Sequence, residues 1–342
     1  MRINGRIWFA GVLVTAALAG SAELPAQKDS VHLKADSDGR KSLVRGKIVE
    51  MSPFKVVVEA DGEREEVAVN RISKVNFGGE PRDLTRAREH LENQRFDDCL
   101  DSIEKIDDLP DSAFMRQEVQ FLRAYADGKK ALRGDPSSTI ESAENGLASF
   151  IKANNDSYQL VKAVDLYGHL LMADGKTAQA GKEFNRLTRS GWDIYQTRGH
   201  FFEGETLIHQ AQYDQARKSF EAVMNQTGTT EEIRQFQLLA KCQLAKIDAL
   251  QGDVNSAIAA LEKIIQNENS DNTQLFAYAY NALGTGYLQS EQLKKACRAF
   301  LHTELLFSTE PDAHAEALFQ LSKIWMELKE TDRANQAREL LT

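Results

Sequence analysis

Residues 281–302, NALGTGYLQSEQLKKACRAFLH, bring a Gly-Thr-Gly, two lysines, a cysteine and a histidine into one short stretch. Phosphate binding is the chemistry such a set would serve. A phosphate loop needs a preceding strand, glycines that open a helix, and a third glycine or a Lys-Ser/Thr pair aimed at the phosphates. Here Gly284 and Gly286 fall inside a helical pattern that begins before Tyr278, and Lys294-Lys295 precede the small residue Ala296 as a solvated face. The histidines, His32, His90, His169, His200, His209, His302 and His314, form no His-Glu-x-x-His. Cys99, Cys242 and Cys297 form no Cys-x-x-Cys, so the common zinc motifs are missing. Cys242 and His209 would have to be assembled from a distance to act as nucleophile and base, and nothing beside them recommends it. Acid pairs such as Asp97-Asp98 and Glu231-Glu232 stand near helix starts, where carboxylates meet the positive end of the helix dipole. No catalytic residue, cofactor or metal is expected.

The ends and the composition set the compartment. Arg2 and Arg6, an apolar run from Ile7 to Gly20 and the small residues Gly20-Ser21-Ala22 have the layout of a secretory signal peptide, with cleavage expected after Ala22. That run is shorter than the roughly 20 residues that span a bilayer as a helix, and no later run approaches that length. Leu18-Ala19-Gly20-Ser21 has serine where a lipid-bearing cysteine would stand. The protein is therefore expected to be exported, to the periplasm or envelope of a bacterium. Its net charge of −9 lacks the basic footprint of a general nucleic-acid binder. Three scattered cysteines are no disulfide framework, so stability must come from packed apolar surface.

Residues 23–30 read as a linker, and from 31 to about 80 the period is two. SLVRGKIVEM, FKVVVEA, EREEVAVN and RISKVNF alternate in polarity, and Asp61-Gly62 supplies a hairpin turn that tolerates positive φ. Four or five strands in a small antiparallel barrel or curled sheet are expected, loosely similar to SH3-like and Sm-like modules.

After Gly78-Gly79 and Pro81 apolar residues recur at three and four, so residues 82–342 read as helices. A ruler repeats along them: a small residue, twelve steps to another, four more to a bulky apolar one. Gly168, Ala180 and Phe184 obey it, as do Gly204, Ala216 and Phe220, and Gly284, Ala296 and Phe300. Ala245, Ala257 and Leu261, then Ala87, Cys99 and Ile103, and finally Ser322 and Ala334 are weaker copies. Each unit is a helical hairpin whose crossing admits only small side chains. Residues 112–155 fit only as an irregular pair, and about seven hairpins are expected in all.

These residues resemble tetratricopeptide repeats, with Phe300 and Phe220 at the aromatic position of the second helix, Tyr280 and Tyr287 at those of the first, and Tyr213 at the turn. The small residues at 168, 204, 245, 284 and 322 are separated by 36, 41, 39 and 38 residues, longer than the family's 34. The resemblance implies an α-solenoid whose concave face, lined by the first helix of each unit, binds a partner. It places inward the residues three before and one after each small position: Asp165 and His169, Phe201 and Glu205, Cys242 and Lys246, Asn281 and Thr285, Phe319 and Lys323. Acids lie toward one end of this set and lysines toward the other, a gradient that would orient an extended segment. Of the family's carboxylate-clamping residues only Asn281 and a lysine or two match.

Leader, β module and hairpin array in this order also resemble a group of exported bacterial tetratricopeptide proteins. The function expected is a non-enzymatic protein–protein interaction scaffold of the envelope, with the β module as cap or second docking surface. An accessory subunit that binds glycan or peptide for an envelope enzyme is the alternative.

Overall fold

The computed structural model describes residues 28–34 and 42–341; the leader expected at 1–22 and most of the linker at 23–30 lie outside them. Five strands come first: β1 Asp29–Leu33, β2 Leu43–Met51, β3 Lys55–Ala60, β4 Glu63–Ala68 and β5 Ile72–Asn76. They form one antiparallel sheet in the order β4-β3-β2-β1-β5. Its long strand β2 pairs with β1 through its first half and with β3 through its second, with a register shift between Ile48 and Glu50. At the bend a side chain on Gly46 would collide with the Glu59 carbonyl, which is why the strand carries a glycine there. Asp61 and Gly62 turn β3 into β4 with φ of 54° and 86°. Val31, Val56, Val58 and Val75 are buried in its core.

The sheet is fused to the helices that follow. Its core runs on through Leu84, Ala87, Phe121, Leu147, Tyr158 and Trp192. Phe54, at the β2–β3 turn, reaches Gly191 beyond the third hairpin. Beneath it lies a buried ionic cluster centred on Arg88, which donates to Glu118 (2.9 Å), to both oxygens of Glu80 (3.1 and 3.2 Å) and to Asn76 Oδ1 (3.3 Å). Tyr158 completes it by donating to the other oxygen of Glu118 at 2.9 Å. Burial opposes ionisation of Glu80, but the hydrogen bonds and charge of Arg88 outweigh it and hold its pKa below the ordinary value.

Fourteen helices follow among the described residues, as seven hairpins: α1 Arg82–Glu92 with α2 Phe96–Glu104, α3 Ala113–Leu132 with α4 Ile140–Ala153, α5 Leu160–Ala173 with α6 Thr177–Leu187, α7 Asp193–His209 with α8 Tyr213–Met224, α9 Glu231–Leu250 with α10 Val254–Asn267, α11 Thr273–Gln289 with α12 Leu293–Leu306, and α13 Pro311–Glu327 with α14 Thr331–Glu339. Each stacks on its neighbours. None of these helices is long and apolar enough to cross a membrane.

The ruler has a direct cause. A Cβ on Gly168 would stand 2.5 Å from the Phe184 ring, and one on Gly204 or Gly284 would stand 2.7 Å from the ring of Phe220 or Phe300. The glycine thus makes room for an aromatic ring of the returning helix, rather than only for a backbone crossing. Where the bulky residue is Leu261, the small position accepts Ala245, and both are buried.

Register is held by the turns. Six hairpins turn in three residues whose middle one is left-handed: Gln94, Gly175, Ala211, Gly252, Glu291 and Lys329. The residue after it donates its N–H back to the last turn of the first helix, as from Lys176 to Leu171, Gln212 to Leu207 and Gln292 to Tyr287. This is the Schellman closure, whose left-handed position favours glycine. Four of the six are not glycine. Ala211→Gly is expected to raise stability by about 0.5–1 kcal/mol, since left-handed backbone costs an L residue about 1 kcal/mol and glycine returns part of that as entropy. The urea midpoint measures it, and a lower midpoint would refute it. The pair α3–α4 has a longer loop, so its small residue is displaced from the ruler. It is Gly128, where a Cβ would stand 2.8 Å from Leu166 and 3.2 Å from Leu147.

Candidate interaction groove

The first helices α5, α7, α9, α11 and α13 lie side by side and present one wall. Helical geometry puts residues three or four apart on one stripe of each, so the small position carries with it the residues just before and after. Whether a stripe faces open space or a neighbouring helix is decided by stacking.

At the N-terminal end Asp165 and His169 do come together, around a residue the sequence reading passed over. Arg198 of α7 grips Asp165 with two hydrogen bonds of 3.0 and 2.7 Å and lies 3.4 Å from His169 Nε2. The His169 ring meets Phe202 edge-on with centroids 4.3 Å apart, and the guanidinium covers the Phe202 and Phe236 rings. Burial, reinforced by Arg198, lowers the His169 pKa, against the pull of Asp165. Beside this end a cavity of about 400 Å³ is lined by Leu91, Phe96, Tyr125, Lys129 and Arg133.

Phe201 and Cys242 do not face the groove. Both are fully buried. The Phe201 ring sits among Phe220, Phe236 and Tyr278 at centroid distances of 5.5, 5.2 and 5.9 Å, because α9 and α11 close over it. Burial pushes the Cys242 thiol up to about 12, so it carries no thiolate for chemistry with His209 or any other base.

The centre of the wall is a polar cluster drawn from four helices. Lys246 of α9 pairs with Glu316 of α13, passing over α11. Asn281 of α11 donates to the Ala313 carbonyl at 2.8 Å and lies 3.4 Å from Glu316. Thr285 is buried and donates to the Asn281 carbonyl at 3.0 Å, a bond within its own helix. Glu205 of α7 faces the Gln243 amide. Burial, with Glu316 and Asp312 adding to it and Lys246 opposing, raises the Glu205 pKa to about 8. Three oxygens here have no hydrogen-bond partner: Glu205 Oε1, Gln243 Oε1 and Asn281 Oδ1. At the C-terminal end Phe319 is 48% exposed, with Lys323 Nζ 4.0 Å from its ring centroid.

The end-to-end charge gradient expected from the sequence is cancelled, since Arg198 answers Asp165 and Glu316 answers Lys246. What was missed are residues six before four of the five small positions, Lys162, Arg198, Tyr278 and Glu316, the fifth being the buried Leu239. Their signal was present as polar or aromatic residues one turn N-terminal to the inward set. Among the described residues no group of His, Cys, Asp and Glu is arranged to hold a metal ion.

No protein-family model and no curated protein matches this sequence. Solved structures do match. A tetratricopeptide repeat protein from Parabacteroides merdae superposes with a TM-score of 0.54 at 12% identity, covering 76% of this chain and 91% of that one. The apo form of RapI superposes with a TM-score of 0.58 at 13% identity, covering 76% of this chain and 94% of that one. The chain has the helical-repeat fold of tetratricopeptide proteins, an α-solenoid of seven hairpins preceded by a small antiparallel sheet.

Proposed function

We propose that this solenoid is a non-enzymatic interaction scaffold of the bacterial envelope that holds an extended segment of a partner protein along the wall of its first helices. The observation that supports this most directly is the wall of adjacent first helices itself, which carries Phe319, 48% exposed, with Lys323 beside its ring. Lys162, exposed on α5, places a cation near the N-terminal end of that wall. The charged and aromatic row from Lys162 to Glu316 offers alternating contacts for a chain laid across the helices. The leader pattern ahead of residue 23 supports export.

Photo-crosslinking in the intact cell tests it. A crosslinking amino acid at Lys162 or Phe319 is expected to capture a partner protein that the same group at Lys218, exposed on α8, does not. The same products from all three positions would refute the groove, and a cytoplasmic protein in fractionation would refute the envelope assignment.

A further inference from the structure

The cavity beside the N-terminal end of the wall, at about 400 Å³, has the size of a small-ligand pocket and opens to solvent. Leu91 of α1, Phe96 of α2 and Leu132 of α3 give it apolar sides, and Lys129 and Arg133 of α3 line it with them. Tyr125, one turn before Lys129, lines it too and feels the charges of Asp165 and Arg198, which ties the cavity to the wall.

The two cations are what set this cavity apart. They stand four apart on α3, so both leave the helix on one face with Cβ atoms about 5–6 Å apart, and their like charges repel. Among the described residues neither has a carboxylate partner, whereas Lys130 beside them pairs with Asp97 and Asp135. Each rests on a ring instead: the Arg133 guanidinium carbon lies 4.5 Å from the Phe96 centroid, and Lys129 Nζ 5.5 Å from that of Tyr125. Arg133 also donates to Gln94 Oε1. That bond leaves other N–H groups free along the guanidinium edge, in the fork geometry that fits a carboxylate, and the ammonium of Lys129 adds three donors. No acidic residue among the described ones lines the cavity.

A ligand must therefore satisfy two demands. It must carry negative charge for the cations, and it must give Leu91, Phe96 and Leu132 an apolar surface to cover. A bare phosphate meets only the first, and an aliphatic chain only the second. We propose that this cavity anchors one end of the partner segment, taking an apolar side chain between Leu91 and Leu132 and the adjacent aspartate or glutamate of that segment onto Lys129 and Arg133. This rests on the groove reading above: a segment laid along the first helices meets the cavity where α3 lies beside α5. The arriving carboxylate also relieves the repulsion between the two cations, so the filled site is electrostatically better balanced than the empty one.

The test titrates the full chain at pH 7 with three fluorine-labelled probes, whose NMR signals report binding. They are a capped Gly/Ser nonapeptide with 4-fluorophenylalanine-aspartate at its centre, the same peptide with asparagine for aspartate, and 3-(4-fluorophenyl)propionate. The aspartate peptide is expected to bind about tenfold or more tightly than the asparagine one, the usual scale for hydrogen bonds to a charged group. Lys129→Gln and Arg133→Gln should each cut that preference to below about threefold, with the circular dichroism spectrum unchanged because both side chains reach solvent. Replacing both at once, Lys129→Glu with Arg133→Glu, should invert the order of the two peptides, and Leu132→Ser should weaken both alike. Equal binding of the two peptides, no binding of either, or a preference that survives both glutamine variants would overturn the anchor. Propionate binding as tight as the aspartate peptide would overturn the assignment to a partner segment in favour of a free small acid. Failure of the anchor leaves the crosslinks from Lys162 and Phe319 in place, whereas failure of the groove removes them.

Discussion

Replacing Arg88 with alanine is expected to destabilise the protein by about 3–5 kcal/mol, the usual loss when one partner of a buried ion pair is removed. The guanidinium is 5% exposed, and the carboxylates it serves, Glu80 and Glu118, are almost as fully enclosed. Without it two negative charges remain close together beside the Tyr158 hydroxyl, with the cation that hydrogen-bonds both of them gone. The damage should be directional, because Glu80 belongs to the strand-to-helix link, Arg88 to α1, Glu118 to α3 and Tyr158 to the α4–α5 connection. In a Trp325→Phe background, urea unfolding followed by Trp192 fluorescence and by circular dichroism should lose the coincidence of its two transitions. A loss below about 1 kcal/mol with coincident transitions would show the cluster to be dispensable. Acid supplies a second reading. The folded-state pKa of Glu80 is depressed below its ordinary 4.5, so its stabilisation is present above that value and lost as pH falls through the lower one. The Arg88→Ala protein should lose that part of the acid sensitivity.

Gly284→Ala is expected to cost about 1–3 kcal/mol, the usual range for overpacking, even though alanine is the better helix former by about 1 kcal/mol. The added methyl would stand 2.7 Å from the Phe300 ring, which is fully buried and has nowhere to turn. The fifth hairpin supplies the remedy in Ala245 with Leu261. Phe300→Leu in the Gly284→Ala background should therefore be milder than the two single losses added together, with a coupling of about 1 kcal/mol or more. Strict additivity in the double-mutant cycle would mean that ring and glycine are independent.

The ruler from small residue to aromatic was legible because a three-residue turn fixes the distance between the two helices of a hairpin. Where the turn is longer, as between α3 and α4, the same physics used Gly128 and left no fixed spacing to read. The alternating runs from Leu43 to Asn76 and the Asp61-Gly62 turn gave the sheet directly, whereas its attachment to the array did not show, since Arg88 and Glu118 are thirty positions apart. In the groove, spacing expected Phe201 and Cys242 to point inward to a partner, and both are buried in the core instead. It could not tell that α9 and α11 would cover Phe201, nor that Lys246 would find Glu316 seventy positions away. A helix's own face is local information; what stands opposite is not.

The lateral hold of the sheet on the array has a mechanical consequence. A solenoid in which each unit touches only its neighbours bends like a coil spring, sharing deformation along its length. Here the sheet splints one end, since its core is shared with the first hairpins and Phe54 props the α6–α7 link. The hairpins from α9 onward have no such splint and are expected to bend most, with the Lys246–Glu316 tie spanning three of their first helices like a clasp.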